Sequence, residues 1–156
     1  MTRTHIEFFE FNNSIFSMIR EISHKIDLLL QETAQEMGVT TLQLKMIMTL
    51  SASDESVSIG NLGKSIGVNG GNISNICKKL EKQGFVDRNR SDEDERVVNV
   101  KLTQKGFDAA EKVSKYFDKI RPKDDEKSIN SNLKTIINEL DSLDNLLDDY
   151  IVRSGL

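Results

Sequence analysis

The stretch LEKQGFVDRNRSDEDERVVNVKLTQKG, Leu80 to Gly106, decides how the rest of the chain is read. Phe85-Val86-Asp87-Arg88 and Val97-Val98-Asn99-Val100-Lys101-Leu102 carry β-branched and aromatic residues, and both read as strands. A polar, acidic turn from Ser91 to Glu95 joins them into a hairpin. Gly84 is a helix stop just before the first strand, and Thr103 suits the N-cap of a helix just after the second.

Working back toward the N-terminus, Gly71 to Gln83 reads as a helix with Ile73, Ile76, Cys77 and Leu80 on one face. Gly71, Asn72, Ser74, Asn75, Lys78, Lys79 and Lys82 fall on the other. Asn69 is the expected N-cap. Gly70 and Gly71 lack a Cβ, so backbone N–H groups there can come close to a phosphate. Gly67-Val68 turns the chain, and Ile59 to Ile66 is a short helix with Leu62 and Ile66 inward. Ser56 to Ser58 has the composition of a brief strand, and Thr41 to Leu50 of a short apolar helix. Helix, helix, turn, helix, hairpin is the order of a winged helix-turn-helix. Its second helix fits the DNA major groove and its hairpin reaches the neighbouring backbone or minor groove.

The two ends are long helices. Ile15, Ile19, Ile22, Ile26, Leu29, Thr33 and Met37 recur at spacings of three and four, and Gly38 ends the run. Ile129, Leu133, Ile136, Leu140, Leu143, Leu147 and Tyr150 alternate four and three. Thr103 to Ile120 is a further helix, with Phe107, Ala110, Val113, Phe117 and Ile120 as its face, and Arg121 to Lys127, holding Pro122, connects it to the last. The fold class is therefore mainly α with a small β-hairpin wing. A winged-helix region, 39–102, is flanked by an N-terminal helix, 1–38, and C-terminal helices, 103–156, in one intertwined domain. Apolar residues off the seams, such as Phe8, Phe11, Phe16 and Met18, favour dimerisation over a monomeric bundle. A pocket between the long helices and the reading head would hold a ligand or be filled by Phe and Met side chains.

The whole chain of 156 residues carries 21 Lys+Arg against 25 Asp+Glu, a net charge of −4 that argues against a promiscuous polyanion binder. The charge is not uniform. Residues 1–55 hold 4 basic and 8 acidic groups, and residues 102–156 hold 9 and 11. Residues 56–101 hold 8 and 6, a net +2 in the segment that would read DNA. A single Cys excludes an internal disulfide and a Cys-rich zinc cage, which points to the reducing cytoplasm. Met1 to Glu10 shows no secretory pattern, and the longest uncharged stretch, Ser65 to Cys77, is too short and polar to span a bilayer, so no membrane partner is expected.

Gly67 to Gly71 lacks the Lys-Ser/Thr of a phosphate-binding loop, and no His/Asp/Ser set or paired carboxylates occur on a credible scaffold, so an enzyme is not expected. Cys77 shares a face with Ile73 and Leu80, which favours a buried small hydrophobe over a redox sensor. His5 and His24 are too few and too far apart for a metal site, and no cofactor is implied.

Ser91 to Gly106 resembles the wing and following helix start of MarR-family transcriptional regulators. That pattern is Asp-x-Arg, a strand, then Leu-Thr-x-x-Gly, here Asp94, Arg96, Leu102, Thr103 and Gly106. Leu80-Glu81-Lys82-Gln83-Gly84-Phe85-Val86 is similar to the family's Leu-Glu-x-x-Gly-aromatic/aliphatic-Val, and the helix order matches over nearly the whole chain. The resemblance implies a homodimer interlocked through the terminal helices, with Ile15, Ile19, Ile22, Leu133, Ile136, Leu140, Leu143 and Leu147 in the interface. Two winged helices would then read a pseudo-palindrome in double-stranded DNA. It implies that Asp94 with Arg96 orients the wing and that Arg90 lies near its tip. It also implies a repressor released by a small aromatic or anionic effector. The expected DNA contacts are Asn69, Gly71, Asn72, Ser74, Asn75, Lys78, Lys79, Arg88, Arg90, Asp94 and Arg96. Two departures stand out. The reading helix opens on Asn69-Gly70-Gly71-Asn72 instead of a Ser/Thr- or Pro-bearing turn, and the helix before it contains Gly60 and Gly63. Each glycine is expected to weaken that helix by about 1 kcal/mol. The alternative reading is a winged-helix co-regulator or antirepressor that works through protein contacts, which the acidic turn and acidic pI favour.

Overall fold

The structure, a computed structural model, describes residues 3–53, 55–91, 93–120 and 126–155, with side chains from 10 and from 130 in the two terminal helices. The elements are α1 (Arg3–Glu36), α2 (Thr41–Ser51), β1 (Val57–Ser58), α3 (Ile59–Ile66), α4 (Gly70–Lys82), β2 (Val86–Arg90), β3 (Val98–Leu102), α5 (Gln104–Ile120) and α6 (Glu126–Ser154). The chain forms two compact units, one ending at Phe117 and one from Asp118 to Leu156. The expected connection around Pro122 lies outside the described residues as far as position 125, and α6 begins at Glu126.

In the first unit the three strands order β1-β3-β2, all antiparallel. Val86 pairs with Leu102 and Arg88 with Val100, so the apolar residues of the hairpin share one face. That face closes on α2, α3 and α4. Met46, Ile47, Leu50, Leu62, Ile73, Cys77, Leu80, Phe85, Val86, Val100, Leu102 and Ala109 form the buried core. A second cluster, Leu30, Ala34, Leu44 and Val113, joins the end of α1 to α2 and α5.

Local sequence sets the starts. Thr40 accepts from the Gln43 N–H while the Gln43 side chain accepts from the Thr40 N–H, a reciprocal cap for α2. Ser58 caps α3 through the Asn61 N–H. Near its end the α1 seam is covered only in part: Leu29 stays exposed and Thr33 is buried, while Leu30 and Ala34, one residue round from the seam, pack with α2 and α5.

The glycines of α3 are unlike. A Cβ on Gly60 would meet nothing within 4 Å, but one on Gly63 would sit 2.8 Å from the Val68 carbonyl oxygen and 3.3 Å from Ile73 Cγ2. The expected softening of α3 is therefore corrected at Gly63, where the missing side chain lets α3 close against the turn and α4.

The tightest approach is at the base of the wing. A Cβ on Gly106 would lie 2.2 Å from the Phe85 carbonyl oxygen. The Thr103 N–H donates to that same oxygen at 3.1 Å, and the Thr103 hydroxyl donates to the Gly84 carbonyl at 2.7 Å. The Lys105 ammonium donates to the Gln83 carbonyl at 2.8 Å and sits 4.4 Å from the Phe85 ring centroid. Gly106→Ala would ordinarily gain about 1 kcal/mol of helix propensity, but here the clash with backbone dominates. We expect a net loss of about 1–3 kcal/mol in denaturant unfolding; equal or greater stability would contradict this packing.

Candidate nucleic-acid interface

Helix α4 is the centre of the site. Ile73, Cys77 and Leu80 are fully buried, while Gly71, Asn72, Asn75, Lys78, Lys79 and Lys82 are exposed and Ser74 is half-buried. The 3.6-residue period thus gives one apolar face to the core and leaves the polar face to solvent. Asn69 stands at the N-cap, but its side chain makes no capping hydrogen bond, and Gly70 and Gly71 have open space where a Cβ would be. The start of α4 is a bare, positive helix end with room for close approach. Lys78, Lys79 and Lys82 have no ion-pair partner among the described residues.

The wing turn is held by its own side chains. The Arg96 N–H donates to Asp94 Oδ1 at 2.9 Å, and the Glu93 N–H to Ser91 Oγ at 3.3 Å. The Ser91 N–H donates to the Val97 carbonyl at 2.9 Å, and Arg90 Nη1 to the Glu95 carbonyl at 3.3 Å. Asp94 therefore shapes the turn from which the exposed Arg96 projects. Arg96, Ser74 and Gly70 share a cleft of about 390 Å³ with the start of α3 at Ser58 and Ile59. Two helix N-termini and a guanidinium at one cleft make a place for an anionic oxygen.

One expected contact is not brought to this surface. Arg88 is only 15% exposed and pairs with Glu81 on α4, Nη1 to Oε2 3.2 Å. It alternates with outward Asp87 and Asn89 on β2, so strand geometry turns it inward. Its expected placement among the outward DNA contacts is corrected on that ground. Periodicity along β2, with Val86 as the inward reference, carried the signal.

Cys77 lies in the core, and burial pushes its thiol up to about 11, with the nearby Arg88 opposing and Glu81 reinforcing. Buried and held in its protonated form, the thiol packs as a small hydrophobe at neutral pH. His24 is exposed, and among the described residues no three His, Cys, Asp or Glu side chains gather. No described helix is long and apolar enough to cross a membrane.

A hairpin wing packed beside an outward polar helix defines the class of winged helix-turn-helix proteins. The profile of the transcriptional regulator SarA/Rot family matches residues 29–113, more than half of the chain, and the protein belongs to that family. The family is one of regulators, not enzymes. Among curated relatives, the HTH-type transcriptional regulator SarZ of Staphylococcus haemolyticus is 36% identical over 62 residues, 40% of this chain and 42% of its own length. SarZ of Staphylococcus epidermidis is 34% identical over 74 residues, 47% and 49% of the two chains. The chain thus spans less than half the length of the curated relatives it matches. The crystal structure of AbfR of Staphylococcus epidermidis superposes with a TM-score of 0.77 at 18% identity, covering 94% of this chain and 99% of that one. These likenesses agree with a mainly helical fold carrying a small antiparallel wing.

The raised thiol gives a checkable pH effect. Because the folded protein holds the Cys77 proton more tightly than the unfolded chain, this group's contribution to stability is full below about pH 9 and is lost as pH rises toward about 11. A chromogenic disulfide reagent at neutral pH should react with Cys77 only as fast as the protein opens. Rapid stoichiometric reaction of the folded protein would contradict the burial.

Proposed function

We propose that this protein is a sequence-specific DNA-binding transcriptional regulator that acts as a homodimer on a pseudo-palindromic operator. The observation that carries the reading is the outward face of α4. Asn72, Asn75, Lys78 and Lys79 stand exposed on a helix whose opposite face is locked in the core. Asn suits the adenine edge in the major groove, Lys neutralises phosphates, and a helix of this kind fits that groove. Arg90 and Arg96 extend the contact to the wing, while Asn69, Gly71 and Ser74 serve the backbone at the start of α4. The structure of reduced AbfR bound to DNA, with a TM-score of 0.63 at 20% identity and covering 87% of this chain and 98% of that one, supports the reading by fold.

Dimerisation is supported by apolar residues left in the open. On α1, Ile19 and Ile22 are 56% and 52% exposed; on α6, Leu133, Ile136 and Leu140 are 51%, 54% and 53% exposed. Ile15, Leu143 and Leu147 are half-buried beside them. A second copy of this chain is the occupant that would cover such seams at no loss of solubility. The sign of regulation, repression, and its release by a small aromatic or anionic effector rest on the MarR-family resemblance.

Three experiments test this. Selection from random duplex DNA should return a two-fold motif with half-site centres about one helical turn apart. Arg96→Ala should weaken binding to that motif and lower the salt slope by about one, with the fold intact. A protein that selects no motif would instead fit the co-regulator reading. Ile136→Asp should shift the protein toward monomer in sedimentation and weaken operator binding with it. A dimer of unchanged strength would remove that seam from the interface.

A further inference from the structure

Among the described residues of the reading head, one ion pair joins α4 to β2, with its guanidinium mostly buried and its carboxylate partly open to solvent. Arg88 follows Val86 by two on β2, so its side chain turns with Val86 toward α4. Its Nη1 lies 3.2 Å from Glu81 Oε2 in the last turn of α4. The side chains are 15% and 42% exposed. Arg88 Nε is buried and has no hydrogen-bond partner among the described residues.

A pair left partly open to solvent adds little stability of its own. What it does add is direction. A guanidinium hydrogen-bonded to a carboxylate holds two elements at one distance and angle, whereas apolar contacts permit sliding. Here the two elements are the reading helix and the first strand of the wing, which only the segment 83–85 connects along the chain. Both must meet one duplex at once, so the angle between them decides whether Arg90 and Arg96 reach DNA while α4 is seated.

We propose that Arg88 is a positioning residue whose ion pair with Glu81 sets the angle of the wing on the reading helix, and that it does not touch DNA. The inference rests on the reading that α4 and the wing bind DNA.

The sign of one substitution separates the possibilities. Glu81→Gln removes a negative charge beside a polyanion, so charge alone would tighten binding. The positioning role requires the reverse, a loss of roughly tenfold, the size of one placed DNA contact. The full-length protein and the duplex selected from the random pool are used throughout, and thermal midpoints are measured beside the affinities. Arg88→Met should weaken binding to a similar degree, with the midpoint unchanged or raised and the salt slope unchanged. The exchanged pair, Glu81→Arg with Arg88→Glu, should recover affinity. Backbone-cleavage footprints of Glu81→Gln and Arg88→Met should keep the major-groove protection and lose the flanking protection made by the wing. Equal or tighter binding by Glu81→Gln would overturn the proposal. So would a salt slope lowered by about one in Arg88→Met, the mark of a direct phosphate contact. So, too, would affinity losses that follow the melting midpoint in every variant. If the wild type selects no duplex, the DNA reading itself falls. If it binds and the variants bind equally well, only the positioning role falls.

Discussion

Everything in the reading head hangs on how closely the first turn of α5 sits against the base of the wing. Three successive carbonyls, of Gln83, Gly84 and Phe85, are taken by Lys105 and Thr103. The approach is possible because position 106 carries no side chain. This contact fixes where α4 ends and where β2 begins. The Leu80 carbonyl accepts from the Phe85 N–H and the Glu81 carbonyl from the Gly84 N–H, which closes the helix C-terminus with the pattern of a Schellman turn. The short sequence Leu-Thr-x-x-Gly is thus a packing device. It joins the end of α4 and the start of β2 to the first turn of α5.

Electrostatics then distinguishes this base from the rest of the chain. The acidic excess lies in the terminal thirds, and the small positive excess lies in residues 56–101. With a net charge of −4, the protein has little nonspecific pull on a duplex. On the proposed function, affinity would come from placed groups, which makes the geometry of α4 and the wing more important than total charge. The acidic residues of the wing turn fit this picture. Asp94 is spent on the Arg96 N–H and shapes the turn.

Much of this was legible in the sequence because it depends on local rules. The inward face of α4, the hairpin, the cap at Thr103 and the stops at Gly38 and Gly84 follow from period, composition and capping chemistry. What was not legible depends on contacts distant along the chain. Helix propensity alone makes Gly63 a weak point, whereas the Val68 carbonyl and Ile73 packed against it require the missing side chain. Arg88 read as a DNA contact because charge near a wing suggests phosphate, yet strand alternation and Glu81 turn it inward. The α1 seam was right in period, but the face that packs in the same chain is set by α2 and α5, and Leu30 and Ala34 fill it. The partners of the exposed seams on α1 and α6 are not written in either helix alone.

The central claim is that the outward face of α4 and the wing turn together meet DNA. Amide signals of the full-length protein, followed while the selected duplex is added, test it most directly. The account predicts perturbation concentrated at Gly71, Asn72, Asn75, Lys78 and Arg96, with α6 unmoved at its exposed polar positions such as Asp144 and Asp148. Perturbation confined to the terminal helices, with α4 and the wing silent, would contradict it.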